Sequence, residues 1–315
     1  VLVESQIRGA SDVIALVVAR SERAAREGAR RVTLALTPTT PLFDPSRALE
    51  LHAPIIHADH VGAERHPNLL AERTIRRGDV TGAFARAAVV VAGEYHTDFI
   101  EHAFLAPEAG LAYPDATGRL TLHVSTQWPA ADLRQAAAAL GEPLERLRLV
   151  QETIGGAFGG REDISLQILL LLAARETGAP VRMVWDRAES TRGHGKRHPF
   201  RIRHELAADQ TGRLLGARVE LVIDAGCYAS TTRQLLDNAL VHACGPYDVA
   251  TVELSGRAVY TNNPFTCAFR GFGANQVAYA VEQQMSKLAT VLTIDSGTLR
   301  RRNFVRGPAV LGAGS

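Results

Sequence analysis

The sequence predicts a mixed α/β (α+β) fold, with a small α/β unit over residues 1–60 and a larger domain over 61–315. Three observations carry that expectation. Short apolar runs that read as strands alternate with runs of helical period. Helix starts and stops coincide with proline and glycine. No internal repeat or low-complexity segment breaks the pattern. At 315 residues, with 46% hydrophobic and 22% charged side chains, the chain has material for about two cores.

In chain order, Val13–Val18 reads as a short apolar strand, Ser21–Arg30 as a helix and "RVTLALT" (31–37) as a second strand. Pro38, Pro41 and Pro45 then punctuate a loop, and "HAPIIHADH" leads into polar sequence, which sets a domain boundary near residue 60. "AAVVVAGEYHT" (87–97) and "GRLTLHVSTQ" (118–127) are strands. Pro129 opens a helix that "AADLRQAAAAL" fills and Gly141 stops. "ERLRLVQE" (145–152) is a strand, and "IGGAFGGRED" (154–163) turns the corner. Asp163–Thr177 is a helix, apolar on nearly every side and therefore buried, ended by Gly178 and Pro180. "PVRMVWD" (180–186) is a strand. "FRIRHEL" and "LLGARVELVID" form a hairpin across "AADQTG". A last helix, Val277–Ala289, places Val277, Ala280, Val281, Met285 and Leu288 on one face.

Charge and cysteine usage exclude several classes. The 35 basic and 33 acidic residues are spread along the chain, so no basic stripe points to nucleic acid or a membrane surface. "RTIRRGD" reads as a solvated face. Cys227, Cys244 and Cys267 lie far apart, without the C-x-x-C pair that zinc or an iron–sulfur cluster takes, and read as small buried hydrophobes in a reducing compartment. "ISLQILLLLAA" is shorter than the roughly 20 apolar residues that span a bilayer. The first residues lack the basic start, apolar middle and cleavage site of an export peptide, which predicts a cytoplasmic protein, and the absent initiator methionine suggests that the chain begins within a longer one. His194 and His198 would share a helix face, but with Lys and Arg crowding "HGKRHPFR" a solvated loop is the better reading than a metal site.

The glycine-rich stretch at 154–163 needs a reason. A strand, a glycine turn and a helix present backbone N–H groups to an anionic or planar ligand. A P-loop is disfavoured, because Arg161 and Glu162 stand where Lys and Ser/Thr hold phosphate and magnesium; neither this stretch nor "RGFGANQV" is a full dinucleotide fingerprint. Glycines that merely let strand and helix pack stay open as the alternative. A second glycine–aromatic stretch, "AFRGFGANQ" (268–276), also leads into a helix, and two such elbows suggest one extended ligand held from two sides.

Together "EHAFLAPEAGLA" (101–112), "STQWP" (125–129), "GGAFGGRE" (155–162), "DAGCY" (224–228), "YTNNP" (260–264) and "AFRGFG" (268–273) resemble, in order and spacing, the molybdenum-cofactor subunit of the xanthine dehydrogenase and aldehyde oxidase superfamily. The resemblance implies the end of a hammerhead-like α/β domain (1–60) followed by the first molybdopterin-binding domain (61–315). It implies that Gln127 would donate to an oxygen on molybdenum, that Gly156, Phe158 and Gly159 would face the metal and pterin, and that Arg270 would bind the cofactor from the other elbow. Phe272 would line a substrate slot, and Glu162 would orient a ring substrate, with a dipole-favoured acid at a helix start as its alternative. By position Asn238 falls where xanthine-oxidising members carry a substrate arginine, which puts xanthine in doubt. Gly271 falls where carbon monoxide dehydrogenases carry a copper-binding cysteine, which argues against that activity. Ala274 and Asn275 replace the more usual small residue and proline.

The family oxidatively hydroxylates an electron-poor carbon with oxygen from water, and for this chain Glu162 and Phe272 favour an N-heteroaromatic ring, with an aldehyde next. Its cofactor is molybdenum–molybdopterin, the cytosine dinucleotide among its forms, and electrons leave through iron–sulfur clusters and FAD. This chain has no cluster cysteines, so an iron–sulfur subunit and a flavin subunit are the implied partners. The general-base glutamate expected of a second cofactor domain is missing, since Gly-Glu occurs only at 93–94 and 141–142 in other surroundings. Either the chain is a fragment or a second molybdopterin-domain chain completes the site. A non-catalytic scaffold or assembly partner with the same fold is the alternative, and the intact Gln127, Phe158, Glu162 and Arg270 oppose it.

Overall fold

The computed structural model describes residues 2–58 and 66–306. The expected boundary near residue 60 falls on residues outside that range. In chain order the elements are α1 (Glu22–Arg30), β1 (Leu69–Arg77), α2 (Val80–Ala85), β2 (Val89–Thr97), β3 (Ala109–Pro114), β4 (Leu120–Val124), α3 (Pro129–Leu140) and β5 (Leu147–Gln151). Then follow α4 (Gln167–Thr177), β6 (Val181–Val184), α5 (Arg187–Gly193), β7 (Phe200–Ala208), β8 (Leu214–Gly226), α6 (Thr232–Val241), β9 (Thr251–Tyr260), α7 (Ala274–Leu292) and α8 (Ser296–Asn303). They divide into two compact units that exchange chain segments: Val1–Pro41, Glu101–Lys196 and Asn262–Phe269 form one, and Leu42–Ile100, Arg197–Thr261 and Arg270–Ser315 the other.

The first unit is a four-stranded sheet in the order β5-β4-β3-β6. β4 and β5 run parallel, which needs a crossover, and α3 supplies it. Pro129 sits in its first turn and Gly141 caps it in the left-handed region (φ 66°), as the sequence predicts. Leu122 and Val124 of the sheet pack with Ala136 and Leu140 of α3 and with Leu170, Leu171 and Ala174 of α4. The apolar helix is buried as expected, but it begins at Gln167, not Asp163, whose backbone is extended (φ −97°, ψ 149°). Glu162 therefore does not sit on that helix's N-terminus. The two strands expected at 13–18 and 31–37 do not form. Both segments run without strand pairing, because a strand needs a neighbouring ladder and among the described residues only the Val3 N–H to Val13 O bond (2.9 Å) reaches either from another segment of extended chain.

The second unit is a five-stranded sheet in the order β1-β9-β8-β7-β2. The predicted hairpin is present, with β7 and β8 antiparallel in a register that pairs Phe200 with Ile223 and Leu206 with Ala217. β8 and β9 are parallel, and the connection between them carries α6. Ile202, Leu206, Val219, Leu221 and Ile223 form one core with Leu235 and Leu236 of α6 and with Val277, Val281, Met285 and Leu288 of α7. The face expected of the last helix is thus the buried one. α8 follows it, which the sequence pattern does not predict, because Leu299 and Asn303 are its only buried residues. "RTIRR" lies on the edge strand β1 with Arg73 and Arg76 exposed, a solvated face as expected. All three cysteines are buried, as expected. No helix among the described residues is long and apolar enough to cross a membrane.

Candidate cofactor site

In the first unit, β5 ends at Gln151 and the glycine stretch follows. Gly156 (φ 98°), Phe158 (φ 54°) and Gly159 (φ 99°) all take left-handed backbone. For phenylalanine this costs about 1 kcal/mol, so the surroundings must impose it. Gln127 does so: its Oε1 accepts the N–H groups of Gly159 (3.0 Å) and Arg161 (3.2 Å), and its own N–H donates to Arg161 O (2.9 Å). With both acceptor positions taken, the carboxamide has one orientation, and its Nε2 donates to no protein acceptor among the described residues. Arg161, 5% exposed, is the second brace. Its guanidinium donates to Gly156 O (3.1 Å), Ala106 O and Ser125 O (3.5 Å) and lies 4.4 Å over the Phe104 ring. Burial lowers its pKa, partly offset by the Glu108 carboxylate.

The four glycines have a physical explanation that differs from the cofactor reading. A Cβ at Gly155 would meet Ala106 Cβ at 2.3 Å, at Gly156 Phe104 Cβ at 2.9 Å, at Gly159 Ala268 O at 2.8 Å and at Gly160 His194 Cε1 at 2.5 Å. Each α-carbon is pressed against protein, so the packing alternative holds for all four. What the turn leaves unbonded is part of its main chain: among the described residues the N–H groups of Gly156, Ala157 and Phe158 have no protein acceptor. Phe158, Ile154, Trp128 and Leu105 are exposed apolar side chains on this turn and on segments bonded to it. Glu162 is half-buried, and burial together with Asp163 raises its pKa.

In the second unit the other elbow repeats the backbone, with Gly271 (φ 93°), Phe272 (φ 42°) and Gly273 (φ 88°). Asn238 of α6 donates through Nδ2 to Phe272 O (2.6 Å), so this expected substrate residue braces the elbow. Arg197 donates to Arg270 O (3.1 Å) and to Asn275 Oδ1 (3.2 Å), which gives the unusual Asn275 a local role. A Cβ at Gly273 would meet Leu235 O at 3.0 Å. The Arg270 side chain is exposed and engages no described protein group. Sequence reasoning missed Arg161 and Arg197, whose partners are main-chain carbonyls and carry no sequence signal. It also took 194–198 for a solvated loop, whereas His194, Lys196, Arg197 and His198 are all buried.

These features define a class: the first unit offers free main-chain amides and one oriented carboxamide donor, groups that suit an oxygen-rich anionic ligand, and the second unit by itself carries an exposed arginine. The sequence profile of the molybdopterin cofactor-binding domain matches residues 61–304, and the chain belongs to that family, shared by xanthine dehydrogenases and aldehyde oxidases. It is 37% identical over 313 residues to the nicotinate dehydrogenase large molybdopterin subunit of Eubacterium barkeri, covering 99% of this chain and 72% of that one. It is 29% identical to the xanthine dehydrogenase molybdenum-binding subunit of Escherichia coli, covering 97% of this chain but 40% of the relative. Among solved structures, the aldehyde oxidoreductase of Desulfovibrio desulfuricans matches with a TM-score of 0.94 at 28% identity, over 100% of this chain and 34% of that one. The chain thus spans well under half the length of the last two.

Proposed function

We propose that this chain holds the molybdopterin cofactor of an oxidoreductase that hydroxylates an electron-poor carbon of an N-heteroaromatic ring, with aldehydes as the second substrate class. The observation that carries the reading is the Gln127 carboxamide: two backbone N–H groups occupy its oxygen, so its nitrogen is a fixed, uncharged donor beside the free amides of Gly156–Phe158. A neutral donor suits a metal-bound oxygen whose bonding must change during turnover. Gln127, Gly156, Phe158 and Gly159 would hold the cofactor from one elbow, and Arg270 would bind its anionic part from the other. When bound, the cofactor supplies the two-electron oxidation and the activated oxygen of the reaction.

Glu162 contributes through its raised pKa: a carboxyl that keeps its proton more readily can donate to a ring nitrogen, and once ionised can accept a ring N–H. Phe272 would stack against the ring, while Asn238 acts through the Phe272 carbonyl it holds. Xanthine itself is disfavoured by Asn238, and the likeness to a subunit named for nicotinate dehydrogenation supports a ring substrate other than xanthine. The general base would come from a second molybdopterin domain, and electrons would leave to iron–sulfur and flavin partners.

Metal and pterin analysis of the purified complete protein tests the cofactor. Molybdenum together with a fluorescent pterin oxidation product is expected, and finding neither would overturn the reading. Turnover with a dye acceptor tests the substrate class: Glu162→Ala is expected to lower kcat/KM for heteroaromatics at least roughly tenfold and to spare aldehydes, and equal loss on both rejects the orienting role.

A further inference from the structure

Behind the first elbow, within the same unit, His102, His194 and Cys267 converge. One ligand-capable atom of each lies within 4.8 Å of the other two. All three are buried, His102 at 5%, His194 at 3% and Cys267 at 0% exposure. The two imidazoles meet edge to face, centroids 5.0 Å apart. We propose that these three side chains form a binding site for a zinc-like divalent cation, separate from the residues that face the molybdopterin.

The hydrogen bonding carries the argument. His102 Nε2 is 2.7 Å from Ala268 O, and His194 Nε2 is 2.7 Å from Gly160 O. A carbonyl only accepts, so both Nε2 atoms carry the proton and both Nδ1 atoms are left as lone pairs. Those two Nδ1 atoms are buried and have no hydrogen-bond partner among the described residues. A buried imidazole nitrogen without a partner is costly, and two in one cluster need a common explanation. An N–H fixed on a main-chain carbonyl, with the opposite nitrogen free, is how metal-ligating histidines are oriented. Cys267 adds the thiol that favours zinc over magnesium or calcium. Burial keeps both imidazoles neutral, as ligands must be: His102 is drawn down to about 4, and His194 is lowered for the same reason.

The surroundings are shaped to this cluster. Gly160 makes room for both rings, since a Cβ there would lie 2.5 Å from His194 Cε1 and 3.0 Å from His102 Cδ2. Gly195 does the same for the thiol, at 2.7 Å from Cys267 Sγ. Glu101 Oε1 lies 3.7 Å from His194 Nδ1, and the other Glu101 oxygen pairs with Lys196 at 2.6 Å, which compensates that lysine's charge. On binding, the Cys267 S–H proton leaves to solvent as the sulfur–metal bond forms. No electron is transferred. The ion would tie together three segments distant in sequence, whose two imidazoles hold the carbonyls of Gly160 and Ala268.

The test is a cobalt titration of the purified complete protein after treatment with a zinc chelator, followed by its absorption spectrum. A thiolate-to-cobalt charge-transfer band that saturates at about one cobalt per chain, and that zinc abolishes, is expected. The band must vanish in Cys267→Ala, a change of a small buried side chain that should leave the far-ultraviolet circular dichroism unaltered. No band in the wild type, or an undiminished band in the variant, overturns the proposal. Should the variant fail to fold, X-ray absorption at the zinc edge of the wild type decides: one sulfur with imidazole nitrogens supports the site, and a shell without sulfur refutes it. Neither readout depends on molybdenum.

Discussion

The two elbows share a backbone and differ in what they do with it. Each places a phenylalanine in the left-handed region beside glycines that are there too: Gly156, Phe158 and Gly159 in one unit, Gly271, Phe272 and Gly273 in the other. In the first, one carboxamide and one buried guanidinium hold the loop, and the aromatic side chain is left exposed at 47%. In the second, Asn238 and Arg197 hold the main chain while Phe272 packs against the core. The same strained turn therefore presents its ring outward once and inward once. Strain of this kind persists where side chains from elsewhere over-determine it, and those braces are where each elbow can be broken.

The largest effect is expected at Gly159. An added Cβ at φ 99° would lie 2.8 Å from Ala268 O, a backbone atom that cannot step aside, so Gly159→Ala should lose roughly 3–4 kcal/mol. At Gly271 the obstacle is the Asn275 side chain, 2.7 Å away, which can rotate, and Gly271→Ala should lose about half as much. Denaturant midpoints of the two variants measure the difference, and equal losses would remove the distinction between the elbows. Next comes Arg161→Met, which leaves up to three main-chain carbonyls without their donor and should cost roughly 2–3 kcal/mol, against roughly 1–2 for Arg197→Met, which frees one main-chain and one side-chain oxygen.

Acid provides a third comparison, because each unit contains a histidine drawn down to about 4 by burial, His102 in the first and His204 in the second. Between 6.5 and about 4 the unfolded chain binds these protons and the folded chain does not. Stability is therefore full above 6.5 and falls as the pH drops toward 4, by at most roughly 3 kcal/mol per histidine. Stability measured against pH in His102→Gln and His204→Gln should each show a shallower slope in that window; an unchanged slope would mean that the site is protonated in the folded state. The smallest stability effects are at the rings themselves. Phe272→Ala should cost roughly 1–2 kcal/mol from lost packing, and exposed Phe158→Ala less than about 0.5 kcal/mol, by thermal melting of the cofactor-free protein.

Much of the fold was legible where local chemistry and tertiary structure agree. Pro129 and Gly141 bound α3 because a first-turn proline and a left-handed glycine act within one turn. The segments 13–18 and 31–37 have the composition of strands, but pairing is a non-local property and the described chain offers them no ladder. α8 escaped because only one apolar side chain, Leu299, is buried, and helix detection rests on an apolar face. At the site, the motif residues could be read in advance. Their braces could not, because Arg161 and Arg197 act on carbonyl oxygens, which every residue possesses. The glycines were read as room for a ligand, yet their missing side chains make room for Ala106, Phe104, Ala268 and His194. His102, His194 and Cys267 stand 92 and 73 positions apart, too far for any spacing rule to join them.

One substitution separates holding the loop from holding the ligand. In Gln127→Glu the carboxylate still accepts the N–H groups of Gly159 and Arg161, and only the outward donor is lost. The measurement is molybdenum per chain in the purified variant, with its melting temperature as control. Melting within about 2 °C of the wild type and molybdenum reduced at least roughly tenfold is the predicted result; unchanged molybdenum at unchanged stability would contradict the role given to Gln127.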